Sequence, residues 1–313
     1  MPPADSLFDQ PLYRPFDQRY LLYQINLIQI GRGGAGYNIM QHMIYGDNLG
    51  LITSRQQSQQ REWTLVGITK FVTDNCSISS NTKERSYLFP LYLYPSDNPT
   101  LFDLQLTNAP GGRRPNLSPE FIQDFSTRLE LEFIADGKGD KHQTFGPEDI
   151  FNYIYAIFHS PSYRQRYAEF LKIDFPRVPL TSNSELFWCL CEKGDRLVNL
   201  HLMKVTATEI TSYPEDGDNK VEKVRYVEAK QNKPGRVYIN KTQYFEGVPL
   251  EVWNFYVGGY QVCQKWLKDR KDRVLDFDDL EHYQNIVAAL NETMILMQQI
   301  DDIINQYGGF PIE

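Results

Sequence analysis

The chain has 313 residues, 41% of them hydrophobic and 13% aromatic, with 40 acidic against 32 basic side chains and a net charge of −8. A chain of this length folds as one large or two ordinary domains and can bury roughly 75% of its unfolded surface, which excludes a disordered or disulfide-stapled polypeptide. The acidic balance gives nucleic-acid binding no support from composition alone, so any such role must rest on local patches.

No run approaches the ~20 apolar residues of a membrane helix, and the opening MPPADSLFDQ has neither signal- nor transit-peptide character, so a cytoplasmic protein without membrane contact is expected. Cys76, Cys189, Cys191 and Cys263 are too few and too irregularly spaced for a disulfide framework and read as reduced thiols. In chain order, Tyr20 to Ile30 reads as one or two strands, and GRGGAG follows, with Gly31, Gly33 and Gly36 in G-x-G-x-x-G spacing ahead of a short helix, YNIMQHMIYG. That is a dinucleotide fingerprint in its usual setting, and Arg55 after the strand Leu51 to Thr53 would suit a phosphorylated cofactor such as NADP. The acidic residue expected about 20 positions on is absent, and WTLVGITKFVT and YLFPLYLYP are strand-like runs with no helix between them, so a glycine-rich turn is the plainer reading. Asp97-Asn98-Pro99-Thr100 lacks the second proline and the aromatic of an amino-methyltransferase motif.

TNAPGGRRPNLS is a loop carrying Arg113 and Arg114, and Ser118-Pro119 opens a helix with Phe121, Phe125 and Leu129 on one side. ADGKGDKHQ, with Lys138 and Lys141, is a connector to the densest run of signals, residues 147–180. There Pro147 suits a first helical position, and Ile150, Phe151, Ile154, Tyr155, Ile157 and Phe158 form an amphipathic stripe. Ser160 and Pro161 end that helix and start a second one, striped by Tyr163, Tyr167, Phe170 and Leu171. Arg164 and Arg166 fall about 100° and about 300° around the wheel from Tyr163, which predicts packed stems with solvated heads.

Ser184 is placed to cap a helix through ELFWCLCEKGDRLVNLHL, and His159 and His201, at helix ends among apolar residues, read as packed histidines. Residues 204–257 read as β: KVTATEI, VEKVRYVEA, GRVYIN and VPLEVWNFYV, separated by PEDGDN and NKPG. Between Asp218 and Lys241 seven basic residues face three acidic ones, a basic ribbon in an acidic chain. Two helices close the chain, one over Tyr260 to Arg273 and one of about 30 residues capped by Asp278 or Asp279 and ended by Gly308-Gly309. The last helix suits a core position or docking against a partner domain. Catalytic motifs are missing except for a loose D…E-x-K pattern, Asp216 with Glu228 and Lys230, in which two carboxylates would hold a hard cation; Asp216 stands in a solvated turn, a poor place for it.

The blocks YRPFDQRY, NLGLITSRQ, YLFPLYLYP, YIYAIFHSPSYRQRYAEFLKIDFPRVPL, NLHLM and GGYQVCQKWLKDRK, in this order, resemble the C-terminal target-recognition (specificity) region of Type ISP restriction-modification enzymes, from about Pro11 to about Ile304. In that family a single polypeptide carries a nuclease, a helicase-like ATPase and an adenine methyltransferase ahead of this region, with S-adenosylmethionine, ATP and magnesium used there. None of those upstream motifs occurs here, so the chain looks like a detached specificity module or a fragment, non-catalytic and without cofactor or metal of its own. The family usually has an Arg-Pro-like element where GRGGAG stands, which makes the glycines look like a local variation.

The resemblance implies recognition of a specific double-stranded DNA sequence, with the methyltransferase and helicase-like domains as partners. The expected fold is α+β: mixed β lobes flanking a central helical layer, closed by a C-terminal helical pair, with segments 1–110, 111–202, 203–257 and 258–313. Arg55, Gln56, Gln57 and Arg61 are the candidates for base readout, since arginine and glutamine make paired hydrogen bonds to guanine and adenine. Lys83, Arg85, Arg113, Arg114, Lys138, Lys141, Lys230, Lys233 and Arg236 are the candidates for phosphate or groove contact.

Overall fold

The computed structural model describes residues 8–9, 11–22, 35–44, 46–95, 110–230 and 234–312; Gly31, Gly33, the 97–100 motif and Lys233 lie outside these. Helix α1 (Ala35–Ile44) leads into an antiparallel sheet in which β1 (Gly50–Thr53) is central, between β2 (Val66–Thr69) and β3 (Tyr87–Pro90). The two-residue period of β3 turns Leu88 inward and leaves Tyr87 and Phe89 at the surface. Asn48 fastens α1 to the strand beyond: its amide donates to His42 O and Tyr92 O, both at 2.8 Å, and its oxygen accepts from Tyr92 N at 3.0 Å. Two long connections join these strands: residues 54–65 link β1 to β2 at one end of the sheet, and residues 70–86 leave β2 at the other end and cross back to start β3 beside Thr53.

The central layer follows. Ser118 caps α2 (Pro119–Leu129), accepting from Phe121 N at 3.2 Å, and α3 (Pro147–His159) starts on Pro147 as its sequence predicts. Ser160 accepts from Tyr163 N at 3.0 Å and caps the next helix, which breaks at Tyr167 into α4 (Pro161–Arg166) and α5 (Ala168–Leu171). Asp301, from the far end of the chain, holds that cap by accepting from Ser160 Oγ, from Ser162 N at 2.9 Å and from Ser162 Oγ at 2.6 Å. Arg166 is exposed as expected, but Arg164 is not. Its Nε donates to Phe158 O at 2.8 Å, a carbonyl left over at the end of α3, and this bond draws the guanidinium inside.

Helix α6 (Ser184–His201) is capped by Asn183, one residue before the predicted Ser184, and packs on α3 so closely that a Cβ on Gly194 would sit 1.9 Å from Asn152 O. Phe125, Phe145, Tyr153 and Phe187 fill the space beside this crossing, with Phe125 edge-on to Phe187 at 5.4 Å. His201 bridges Tyr155 Oη at 2.6 Å and Thr293 Oγ1 at 2.8 Å, and burial pushes it down to about 3, so it is a neutral packed histidine.

The second β lobe is smaller than its sequence predicts. Only β4 (Arg225–Val227), β5 (Arg236–Tyr238) and β6 (Tyr244–Glu246) form a sheet, antiparallel and in chain order. KVTATEI forms no strand; Val205, Ala207 and Ile210 pack singly on the core, and Gln284 takes the backbone at Thr211 O, 2.8 Å. VPLEVWNFYV begins with a helical turn, α7 (Leu250–Trp253), because Gly247 at φ +91° ends β6 and Pro249 sets the chain to enter a helix. A hairpin, Tyr256–Val257 with Tyr260–Gln261, then docks on the first lobe through Gly258 N to Thr64 O and Gly259 N to Ile78 O, each 2.7 Å.

Helix α8 (Val262–Lys268) is shorter than predicted, and α9 (Phe277–Gln306) has the predicted 30 residues, capped by Asp276 in place of Asp278 or Asp279. Of the two roles its sequence allowed, α9 takes the core one: Tyr283, Val287, Leu290, Ile300 and Ile304 are buried, and Tyr283 meets Phe245 at 4.3 Å and Trp266 at 5.5 Å. The fold is α+β, as expected. A methyl group at Gly194 has no room against a carbonyl that cannot yield without moving α3, so Gly194→Ala should cost at least about 3 kcal/mol, read as a fall in thermal or urea midpoint.

Candidate nucleic-acid interface

The connection 54–65 has no regular secondary structure, and ordering a dozen such residues costs on the order of 1–2 kcal/mol each in backbone entropy. One carboxylate ties the connection to its neighbour. Glu84 is fully buried and accepts from Ser58 N at 3.0 Å, Ser58 Oγ at 3.1 Å, Gln59 N at 3.3 Å, Ser79 Oγ at 2.8 Å and Arg61 Nη2 at 3.2 Å. Burial pushes the carboxyl up, but the bonds from Ser79 and Ser58 together with Arg61 outweigh it and hold Glu84 below the usual value. A second strut runs from Asn81 Nδ2 to Ser58 Oγ at 2.7 Å. The two connections are thereby fastened to each other where 70–86 enters β3.

On this base the predicted readers divide. Arg55 is 64% exposed, steadied only by Asp174 at 3.4 Å, and Gln56 is exposed beside it. Gln57 is 6% exposed, and its amide donates to Gln59 O at 2.8 Å and Arg61 O at 2.6 Å; it builds the turn and is not free to read a base. Arg61 is likewise turned toward Glu84 and positions the loop. Lys83 and Arg85 flank Glu84, and with the acid facing in, both cations face solvent. The structure therefore brings Arg55, Gln56, Lys83 and Arg85 together on two joined loops. Glu84 was overlooked at the level of sequence; its one signal is that it stands alone between two cations in KER.

A second group forms around α3. Arg113, predicted to touch phosphate, is an internal arginine: its guanidinium lies 3.9 Å over the Tyr92 ring, Nε donates to Asp136 Oδ1 at 2.7 Å and Nη1 to Asp47 O at 2.8 Å. Arg114 is half-buried in a two-residue strand paired with Leu93. Lys138 is 40% exposed and pairs with Asp195 at 2.7 Å, and Lys141 is exposed on the same loop. That loop is wound around Asp140, whose Oδ1 accepts from the amides of His142, Gln143 and Thr144 at 2.8–2.9 Å.

The third group lies on the second lobe. Arg236 donates Nε to Glu246 at 2.8 Å across the sheet and covers the Tyr244 ring at 4.4 Å, so it too is largely committed, while Lys230 is exposed past the end of β4. Asp216 and Glu228 are separately exposed, and among the described residues no group of three His, Cys, Asp or Glu could hold a metal, so the D…E-x-K alternative gains no support.

Residues 4–299 match the model of the Type ISP C-terminal specificity domain. The chain belongs to this family. A nuclease-deletion mutant of the Type ISP restriction-modification enzyme LlaGI, in complex with a DNA substrate mimic, matches over 99% of this chain and 25% of its own, at 18% identity and a TM-score of 0.59. The ATP-dependent Type ISP enzyme LlaBIII bound to DNA matches over 98% and 19%, at 18% identity and a TM-score of 0.64, and a DrdV–DNA complex over 97% and 28%, at 21% and 0.66. At these identities the likeness is one of fold, and the specificity domain spans about a quarter of the chains it matches. No protein of curated function matches it.

Removing the Glu84 carboxylate strands five donors, so Glu84→Ala should cost about 3 kcal/mol and Glu84→Gln less, measured by chemical denaturation. Because Glu84 is held below its usual 4.5, its contribution is complete above that pH and lost as the pH falls further; amide exchange at Ser58 and Gln59 should quicken there first. Arg113→Ala should cost about 2–3 kcal/mol by the same assay while leaving the salt dependence of any DNA binding unchanged.

Proposed function

We propose that this chain is the part of a Type ISP restriction-modification polypeptide that reads the target sequence in duplex DNA, and that Arg55 and Gln56 make the base contacts. The observation that carries this reading is the match to the specificity-domain family over nearly the whole chain. Three related folds solved with DNA or a DNA mimic, and two fastened connections that expose Arg55 and Gln56 on one and Lys83 and Arg85 on the other, add support. Arginine pairs with guanine O6 and N7 and glutamine with adenine N6 and N7, and both need a fixed backbone to discriminate. Lys83, Arg85, Lys138, Lys141, Lys230 and Lys233 are assigned to phosphates, which fix register without carrying sequence. Arg114 belongs with them; Arg113 and Arg236 do not.

In this reading the chain performs no catalytic step. Methylation and cleavage, with S-adenosylmethionine, ATP and magnesium, belong to methyltransferase, helicase-like and nuclease regions outside it, and the cytoplasm is where it acts. No helix among the described residues is long and apolar enough to cross a membrane.

Selection of duplexes from a randomised pool by the purified chain, followed by sequencing, tests the reading. One short motif should be enriched, and Arg55→Ala with Gln56→Ala should erase the preference at one or two base pairs, each worth about 1–3 kcal/mol, while binding to non-cognate duplex persists. A pool that emerges without any preferred sequence would refute it.

A further inference from the structure

Beside the reading loop runs a cleft of about 610 Å³ between residues 57–63 and α4, lined by Arg61, Glu62, Trp63, Arg164, Gln165 and Lys172. Arg61, Glu62 and Arg164 also line a second opening on the other side of the loop. Arg164 sits between the two. Its side chain is 3% exposed, its Nε is spent on Phe158 O, and the Trp63 ring lies 5.9 Å away. The carboxylate nearest it, Glu62, is 61% exposed and stops 3.7 Å from Nη1, beyond hydrogen-bond reach, and Asp301 acts on it from farther off while bound to Ser160 and Ser162.

A buried guanidinium normally binds its carboxylate at closer range, since the cost of desolvating it must be offset by short charge-assisted bonds. Burial lowers the pKa of Arg164, as the weak approach of Glu62 implies. Two more donors on residues lining the cleft, Arg61 Nε and the indole Nε1 of Trp63, itself 3% exposed, are buried without a partner, against one such acceptor, Gln57 Oε1. The cleft thus presents cationic and N–H donors in excess of acceptors, and a weakly held carboxylate occupies its mouth.

We propose that this cleft binds one phosphate of the duplex backbone at Arg164, and that Glu62 is the stand-in the phosphate displaces. This rests on the DNA-reading function and adds to it: one phosphate would be gripped directly beside the loop that carries Arg55 and Gln56. The exchange of carboxylate for phosphate couples seating of the backbone to movement of residues 60–63, and it keeps a buried cation neutralised while no DNA is bound.

The test is binding of the purified full chain to a random-sequence duplex across a salt series, with Glu62→Gln compared against Glu192→Gln, an exposed acid on α6 that lines neither opening. Removing the stand-in should tighten binding about fivefold at low salt and steepen the log–log salt slope by up to about one, whereas Glu192→Gln should change affinity less than twofold. Introducing Arg164→Lys into the Glu62→Gln chain should abolish the gain, with thermal melting used to check folding; if that variant does not fold, the comparison of the two acids decides alone. Equal effects of Glu62→Gln and Glu192→Gln would overturn the phosphate site and leave the reading function standing. Failure of the wild-type chain to bind any duplex would overturn both.

Discussion

The arrangement of this domain depends on one fully buried carboxylate. Glu84 joins two connections that would otherwise each meet solvent alone, and it does so by accepting from amide, hydroxyl and guanidinium donors at once. Stripping a carboxylate of water costs several kcal/mol, and only a set of donors this complete offsets it. A rigid base for the exposed residues is the outcome. Without it Arg55 and Gln56 would lose the fixed backbone that the base contacts proposed for them require.

The same device recurs. Asp140 winds the loop that carries Lys138 and Lys141, Asp149 ties Gly139 to Gly146 at the start of α3, and Asp301 of α9 secures the cap of α4. Arginines answer other acids: Arg270 reaches Asp17, Arg113 reaches Asp136 and Arg236 reaches Glu246. In the proposed role, this arrangement would let a chain of net charge −8 serve a polyanionic target. Among the described residues four acids, Asp17, Glu84, Asp149 and Asp301, are buried as organisers, and lysines outnumber arginines among the exposed cations. Arginine, with its fork of donors, is the better partner for a fixed carboxylate, while lysine keeps its charge in water.

What was legible in the sequence is what local chemistry decides. Ser118, Pro147 and Ser160 announce helix starts through spacing alone, and the stripe from Tyr283 to Met297 marks α9. The second lobe was overread, because β-branched and aromatic residues in KVTATEI and VPLEVWNFYV serve the core singly or through a helical turn, which their order in the chain does not disclose. Arg113, Arg164 and Glu84 were misjudged or missed for one reason: their partners Asp136, Phe158 and Ser58 are set by how separate segments meet, and an arginine in a glycine-rich loop looks solvated until its aromatic platform is seen. The family resemblance reached further than these patterns because it draws on scaffold blocks such as residues 147–180, and the solved relatives keep the fold at 18–21% identity. Reading loops share no such constraint.

The central claim is that residues 55–62 and 83–86, clamped on Glu84, form the surface that meets DNA. Amide hydrogen exchange of the whole chain, with and without the duplex it selects, tests this most directly. The account requires strong protection of these two segments on binding, with the β4–β6 sheet changing less. Protection confined to that sheet, with both clamped loops exchanging as in the free chain, would contradict it.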